Sequence, residues 1–223
     1  MDLAKQIGDS RPVFAFDDGA VLRGTPLAFS SVESVAAACL PGVVDIAQQY
    51  GGKEEVAMDR KEETGGEEMR IALGGWSYGG VVAVEVAKQL KQRYPHLRVS
   101  LLVVIDSPLR PALGDKAPHS IADSGSQASP AARQHFEACT VLLAAYHSRP
   151  VELEAALACP VLCLLPDASS DSYDRKALAE VTSTTHTQVK VVPGTHWTIV
   201  YGDSSAKVAA LIEDHFNSHT LKK

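Results

Sequence analysis

The most constraining feature of the sequence is a nearly unbroken apolar run, Val99–Ile105, which turn-forming residues follow. A strand that is apolar on both faces must be covered on both faces, which is typical of parallel sheets with helices above and below. A second run of this kind spans Pro160–Leu165. Segments with helical periodicity alternate with these runs, so the sequence predicts an α/β protein with a mostly parallel sheet.

The remaining elements follow from the same alternation of apolar runs, helical periods and turn signals. Further strands are predicted at Pro12–Phe16, Ile71–Leu73 and Val189–Val192. Helices are predicted at about 31–50, with an interruption at Pro41-Gly42, and at about 80–93, 130–146 and 204–216. Residues 51–69 are rich in glycine and charge and are expected to form a loop. We expect residues 1–223 to form one domain, with a helical insertion near 107–150.

Composition and charge narrow the classes of protein to consider. The chain carries 21 Lys+Arg against 27 Asp+Glu, and a net charge of -6 makes it a poor candidate for binding nucleic acid. Its longest apolar runs are too short to span a bilayer, and its first ten residues show no signal-peptide core. The four cysteines have no zinc-binding spacing and are expected to be reduced and mostly buried. We therefore expect a cytoplasmic protein without a membrane span or a metal site.

A Gly75-x-Ser77-x-Gly79 motif stands between a predicted strand and a predicted helix. In this setting the motif forms a strained turn that lifts the serine above the sheet, and glycines are needed where strand and helix backbones pass too close for a Cβ. At the start of the helix, the backbone amide of Tyr78 can donate to a developing oxyanion. Neither G-x-G-x-x-G nor a P-loop is present, which argues against a dinucleotide or phosphate site. The motif therefore predicts Ser77 as a nucleophile.

A serine nucleophile needs a base, and the chain has eight histidines. His196 comes shortly after the last predicted strand, at the edge of an open α/β sheet where functional sites collect. The other seven lie on the opposite edge, in the insertion, or in the C-terminal helix and tail. Position therefore favours His196 as the general base.

Two carboxylates are candidates for the residue that orients this base. Asp106 and Asp167 each follow the C-terminal end of a buried strand, and either gives the chain order serine, aspartate, histidine. Asp106 ends the strand that follows the Ser77 helix, and Asp167 ends the next strand along the chain. Either aspartate could instead only cap the loop after its strand. Position in the sequence leaves both candidates open.

Three motifs carry a resemblance to a known family. Residues 73–90, LGGWSYGGVVAVEVAKQL, closely resemble the nucleophile turn and helix of the thioesterase domains of nonribosomal peptide and polyketide synthases. Leu101–Pro108 resembles the strand that carries the catalytic aspartate in that family, and Gly194–Trp197 resembles its histidine loop. The resemblance implies an α/β-hydrolase fold, the triad Ser77, Asp106 and His196, and a variable lid at about 107–150, where the likeness is weak.

The resemblance also implies a reaction. An acyl or peptidyl chain arrives as a thioester on the phosphopantetheine arm of a carrier protein, and Ser77 attacks it with the help of His196 and Asp106. Water then releases an acid, or an internal nucleophile releases a ring, without a metal or organic cofactor. A general carboxylesterase with the same triad is an alternative, and so is an impaired hydrolase fold that binds an acyl chain or a carrier.

The residues before the motif depart from the family pattern. The family has two strand–helix units there, and the loop after the first strand supplies the second oxyanion donor. Here only Pro12–Phe16 and one long helix precede Ile71, and this strand resembles the second of the family's two. The first strand is therefore expected to be absent, which leaves two strand edges unpaired. Either Pro12–Phe16 takes the vacant place and the amides of Asp18–Val21 serve as donors, or the chain is an impaired relative.

Overall fold

The computed structural model describes residues 2–8, 11–17, 19–50, 69–109, 129–148, 157, 159–168 and 187–220. Within these ranges the centre of the fold is a parallel sheet of four strands that lie side by side in chain order. The strands are Met69–Trp76 (β1), Leu97–Ile105 (β2), Val161–Pro166 (β3) and Thr187–Val192 (β4). Because every pair is parallel, the carboxyl ends of all four strands meet at one edge of the sheet.

Helices cover both faces of this sheet. In chain order they are Asp2–Gly8 (α1), Ala20–Arg23 (α2), Val32–Tyr50 (α3), Tyr78–Arg93 (α4), Pro130–His147 (α5) and Gly202–Thr220 (α6). α3, α4 and α5 contribute buried side chains to the apolar cluster on one face. α1 and α6 do the same on the other face. The predicted class, an α/β sheet covered on both faces, is confirmed.

The β2 strand shows how one apolar run serves both faces. Val99 and Leu102 point into the cluster under α3 and α4, whereas Leu101 and Val103 point into the cluster under α6. The pairing of β1 with β2 shifts by one residue at Ser100, whose hydroxyl donates to the Ile71 carbonyl at 2.9 Å. This irregularity places Val99 and Leu102 on the same face although they are three residues apart.

The predicted strand at Pro12–Phe16 is wrong. The segment has no regular secondary structure, and Phe14 and Phe16 are 42% and 50% exposed. The ring of Phe14 lies 4.9 Å from that of Tyr50, and the ring of Phe16 lies beside Gly42. The segment therefore runs along α3 instead of entering the sheet, because a short apolar run does not specify which surface it will pack against.

The strand that leads to the serine turn lies at the edge of the sheet. In the described part of the chain β1 pairs with β2 on one side and with no strand on the other, and Arg70, Ala72 and Gly74 are exposed. The expected gap beside β1 is therefore present in the described sheet. The expected second unpaired edge is not, because Pro12–Phe16 is not a strand.

The predicted interruption of the first long helix is also wrong. α3 continues through Pro41, although a proline inside a helix costs about 3 kcal/mol. Its neighbours Leu40 and Val43 are buried in the cluster that α3 shares with α4. Burying each such side chain contributes roughly 1.5–3 kcal/mol, so packing outweighs the local cost of the proline.

The other predicted strands and helices are confirmed, most of them with ends a few residues longer. The four cysteines, all within the described residues, form no disulfide, and Cys139, Cys159 and Cys163 are buried as predicted. Among the described residues, none of the helices combines the length and apolar character needed to cross a membrane.

Candidate active site

Ser77 occupies the turn between β1 and α4. Its φ of 56° and ψ of -127° are values that a residue with a Cβ rarely adopts. The Ser77 amide donates to the Ile105 carbonyl at 2.9 Å, which ties the turn to the last residue of β2. The serine is therefore held at the carboxyl edge of the sheet in a strained backbone conformation.

The glycines in and directly after the motif differ in how much space a side chain would have. A Cβ at Gly75 would overlap the Gly79 carbonyl and the Gly80 amide, because the strand passes directly beneath the first turn of α4. A Cβ at Gly80 would overlap the side chain of Ser107. At Gly79, by contrast, a Cβ would meet no heavy atom within 4 Å. The predicted close approach therefore holds for Gly75 and is wrong for Gly79; on the helix side it occurs at Gly80.

Asp106 and His196 form a buried pair. The Oδ2 atom of Asp106 lies 2.6 Å from Nδ1 of His196, and the two side chains are 0% and 4% exposed. Because a carboxylate can only accept, Nδ1 carries the shared proton, and Nε2 of a neutral imidazole is left with a lone pair. Asp106 has a φ of 44°, and its amide donates to the Leu164 carbonyl at 2.8 Å. The pair has the geometry of a general base oriented by an acid.

Asp167 makes a different contact. Its Oδ1 atom accepts a hydrogen bond from the Gly194 amide at 2.9 Å, and its own amide donates to the Val192 carbonyl at 2.9 Å. Asp167 therefore holds the start of the loop that carries His196. Of the two carboxylates left open by the sequence, Asp106 is the one that contacts the histidine, while its catalytic role stays a prediction.

The loop that carries His196 is braced by its own hydrogen bonds. The Thr195 amide donates to Oγ1 of Thr198 at 2.8 Å, and the Ile199 amide donates to the Thr195 carbonyl at 3.0 Å. Ile199 and Val200 are buried in the cluster beneath α6. The loop that carries His196 is therefore anchored in the apolar core directly after the histidine.

Two tryptophans that were not among the predicted site residues also lie at this site. The indole N–H of Trp76 donates to the His196 carbonyl at 3.1 Å, and the rings of these two residues lie 5.0 Å apart. The Trp197 ring lies 4.9 Å from the His196 ring. The chain contains only two tryptophans, and each is next to a predicted site residue in the sequence. This adjacency could have identified both of them.

Ser77, Asp106 and His196 all lie at the carboxyl edge of the sheet, following β1, β2 and β4. In the part of the chain that the structure describes, no hydrogen bond joins the Ser77 hydroxyl to His196. Catalytic hydrogen bonds are often long before substrate binds, so the arrangement remains compatible with proton transfer from serine to histidine.

The predicted oxyanion donors lie in different parts of the structure. Tyr78 is the first residue of α4, where backbone amides have no partner within the helix. The Gly19 amide, one of those proposed for the second donor, donates to the Asp17 carboxylate at 2.6 Å instead. Asp18 lies outside the described residues. Asp17 therefore competes for an amide that was expected to serve as the second oxyanion donor.

Part of the predicted lid lies outside the described residues, namely 110–128 and 149–150. Its helix α5 is described and reaches the site from two directions. The Phe136 ring lies 6.4 Å from the Trp197 ring. At the end of the helix, burial lowers the pKa of His147, and a hydrogen bond with the Pro108 backbone partly opposes this shift. α5 therefore connects the histidine loop with the loop that follows Asp106.

Among the described residues, His, Cys, Asp and Glu side chains form no group of three that could hold a metal ion.

Two polyketide synthases match part of this sequence. Polyketide synthase 2 of Metarhizium acridum (strain CQMa 102) is 36% identical over 95 residues, which cover 39% of this chain and 5% of the relative. Polyketide synthase 2 of Metarhizium guizhouense (strain ARSEF 977) is 31% identical over 108 residues, which cover 44% of this chain and 5% of the relative. The matched region is therefore a small part of much longer proteins.

Solved structures share the fold at low sequence identity. The NocB thioesterase domain from the nocardicin cluster is 22% identical with a TM-score of 0.63, and the match covers 97% of this chain and 86% of that one. RedJ, solved with a PEG molecule in its active site, is 20% identical with a TM-score of 0.61, and the match covers 94% of this chain and 82% of that one. These likenesses confirm the α/β-hydrolase type of fold.

The family model for the thioesterase domain matches residues 62–216, a range that contains Ser77, Asp106 and His196. The match takes in β1 to β4 and most of α6, and so includes the whole described sheet. The chain therefore belongs to the thioesterase domain family.

Proposed function

We propose that this chain is a serine thioesterase that releases an acyl, polyketide or peptidyl chain from the phosphopantetheine arm of a carrier protein. The observation that carries the proposal is the 2.6 Å contact between Asp106 and His196 at the sheet edge where Ser77 occupies its positive-φ turn. The polyketide synthases that share part of the sequence support a carrier-bound substrate. The proposal places the enzyme in the cytoplasm, a compartment in which cysteines stay reduced, as the four cysteines without a disulfide are here.

Acylation begins with attack of the Ser77 hydroxyl on the thioester carbonyl carbon. The serine proton moves to Nε2 of His196, and Asp106 stabilises the imidazolium through the proton on Nδ1. The new Oγ–C bond gives a tetrahedral intermediate. Its C–S bond then breaks, and the imidazolium returns the proton to the leaving thiol of the phosphopantetheine arm.

Deacylation repeats these reaction steps with a second nucleophile. His196 takes a proton from water, which attacks the ester carbonyl and releases an acid, or from a hydroxyl or amine of the acyl chain, which releases a ring. The Ser77 oxygen leaves and recovers the proton. Each step uses side chains of this protein, and the phosphopantetheine belongs to the carrier, so no further cofactor enters the scheme.

The backbone amide of Tyr78 is the proposed donor to the oxyanion. Loss of one such donor costs about 10²–10³ in rate, so the source of the second donor decides how active the enzyme is. The unpaired edge of β1 in the described sheet favours a second candidate function, an impaired hydrolase fold that binds an acyl chain or a carrier. The two candidates differ in whether Ser77 is activated.

A fluorophosphonate probe followed by peptide mass spectrometry tests this difference. The NocB thioesterase domain has been captured as a covalent complex with a fluorophosphonate nocardicin G analogue, which makes the reagent suitable for this fold. We expect labelling at Ser77 and none in the folded Ser77→Ala variant. Absence of labelling in folded wild-type protein would contradict the proposal and favour the impaired hydrolase.

A paired substrate test separates the thioesterase from a general carboxylesterase. The same acyl group is offered as an N-acetylcysteamine thioester and as a p-nitrophenyl ester. We expect a higher kcat/KM for the thioester, and we expect Ser77→Ala to lower turnover by at least about 10³-fold because a triad without its nucleophile retains little activity. A preference for the oxygen ester would identify a carboxylesterase.

A further inference from the structure

We propose that Trp76 is a positioning residue that holds the His196 loop over the serine turn. The inference rests on the proposed function, in which Ser77 and His196 react together. It assigns to the residue before the nucleophile a task that the triad itself does not perform, namely fixing the distance between two loops that are far apart in the chain.

The backbone of Trp76 is fixed relative to two members of the triad. Trp76 is the last residue of β1 and directly precedes Ser77. Its register partner on β2 is Ile105, which directly precedes Asp106. The serine turn is also joined to this point, since the Ser77 amide donates to the Ile105 carbonyl at 2.9 Å.

The side chain of Trp76 reaches the third member. Its indole N–H donates to the His196 backbone carbonyl at 3.1 Å across 120 residues of chain, and its ring lies 5.0 Å from the imidazole at an angle of 33°. Asp106 holds the imidazole through Nδ1 at 2.6 Å. The carboxylate therefore sets the orientation of the ring, and the tryptophan sets the position of the loop that carries it.

The order of the strands explains why such a link matters. His196 follows β4, which is separated from β1 by β2 and β3. Strands lie about 4.8 Å apart, so the histidine loop must reach back across roughly 14 Å of sheet to approach Ser77. A misplacement of about 1 Å between reacting groups can cost 10²-fold in rate. A hydrogen bond from the end of β1 to this loop limits that misplacement.

Trp197 provides a matched control. Its ring lies 4.9 Å from the His196 ring and 5.9 Å from the Trp76 ring. Its indole N–H is buried and has no hydrogen-bond partner in the described part of the chain. A change from tryptophan to phenylalanine therefore removes the same atoms at both positions but removes the hydrogen bond to the His196 loop at position 76 alone.

The experiment compares Trp76→Phe with Trp197→Phe in the full chain. It measures the rate of fluorophosphonate labelling at Ser77, and kcat and KM for an acyl thioester. For Trp76→Phe we expect labelling and kcat to fall by at least about tenfold, with KM within about twofold, because geometry rather than binding is lost. We expect Trp197→Phe to change labelling and kcat by less than about threefold, since it loses packing atoms but no hydrogen bond.

A proton NMR measurement reads the histidine directly. The proton shared between His196 and Asp106 should resonate far downfield in the wild type and exchange faster with solvent in Trp76→Phe, but not in Trp197→Phe. A role in packing alone would lower the urea midpoint without this selective change. If Trp76→Phe does not fold, Trp76→Met, which fills the space without a hydrogen-bond donor, takes its place beside Trp197→Met.

The possible outcomes separate this inference from the proposed function. The role of Trp76 is overturned if Trp76→Phe is labelled at the same rate as the wild type, or if the two variants lose the same labelling rate. In both cases the labelling of wild-type Ser77 leaves the thioesterase proposal standing. If wild-type Ser77 is not labelled, the proposed function fails, and proton exchange then decides the inference. Faster exchange in Trp76→Phe alone supports the positioning role, and unchanged exchange overturns it.

Discussion

The substitution Gly75→Ala should open the serine turn. A methyl group at position 75 would overlap the carbonyl of Gly79 and the amide of Gly80, and both are backbone atoms in the first turn of α4. Backbone atoms cannot rotate aside as the end of a flexible side chain can. Overpacking costs about 1–3 kcal/mol even when side chains can adjust. We therefore expect the free energy of unfolding to fall by about 3 kcal/mol, the upper end of that range.

Gly79→Ala is the matched control within the same motif. A Cβ at Gly79 meets no heavy atom within 4 Å, and the residue lies inside α4 without a positive φ. Alanine is favoured over glycine in a helix by about 0.5–1 kcal/mol, chiefly because it reduces the freedom of the unfolded chain. We expect this variant to be as stable as the wild type or slightly more stable. The same substitution should therefore lower the free energy of unfolding at position 75 and leave it unchanged or raise it at position 79.

Urea unfolding followed by circular dichroism measures the difference. With a slope of about 2 kcal/mol per molar urea, a loss of 3 kcal/mol lowers the midpoint by about 1.5 M. The midpoint of Gly79→Ala should stay level or rise by up to about 0.5 M. Similar downward shifts in both variants, or a midpoint for Gly75→Ala equal to that of the wild type, would refute the argument from backbone overlap.

Three further experiments test contacts and burial among the described residues. Asp106→Asn should lower kcat by about 10⁴-fold and Asp167→Asn by less than about tenfold in steady-state assays, because only the first carboxylate holds the tautomer of the base; the reverse order would reassign the role. Burial and a neighbouring carboxylate raise the pKa of Tyr146 well above its usual range. The phenolate therefore forms more readily in the unfolded chain, so stability should fall above about pH 10, and less steeply in Tyr146→Phe, when urea midpoints are compared across pH. Burial raises the pKa of Cys163 to about 12, and timed iodoacetamide labelling at about pH 8 should modify the half-buried Cys39 first; equal rates would contradict this.

Local patterns in the sequence were sufficient for most elements of the fold and for the serine. A run that is apolar on both faces needs no knowledge of its partners to be recognised as a buried strand, and β2 and β3 lie where such runs occur. The glycine and serine spacing between a strand and a helix is equally local, and it located the Ser77 turn. The strand-end positions of Asp106 and His196 also follow from short segments.

Position in the sequence left the choice between the two aspartates open. Asp106 and Asp167 both follow buried strands, and before the structure only the resemblance to the thioesterase domains favoured Asp106. Only the path of the loop after β4 brings His196 to within 2.6 Å of Asp106 and leaves Asp167 bound to the Gly194 amide. Such a path depends on contacts between residues about 90 positions apart, which no local pattern records.

The sequence by itself thus determined the parallel sheet with its two helical layers, the strained serine turn and the candidate base, because periodicity and glycine spacing act over short distances. The tertiary structure decided that Pro12–Phe16 lies along α3, that β1 is an edge strand in the described sheet and that Trp76 contacts the histidine loop. The physical reason is the same for all three. Strand pairing and side-chain contacts depend on which distant segment a given segment packs against. The free energy of such a contact depends on the residues of both segments, so it cannot be read from either one alone.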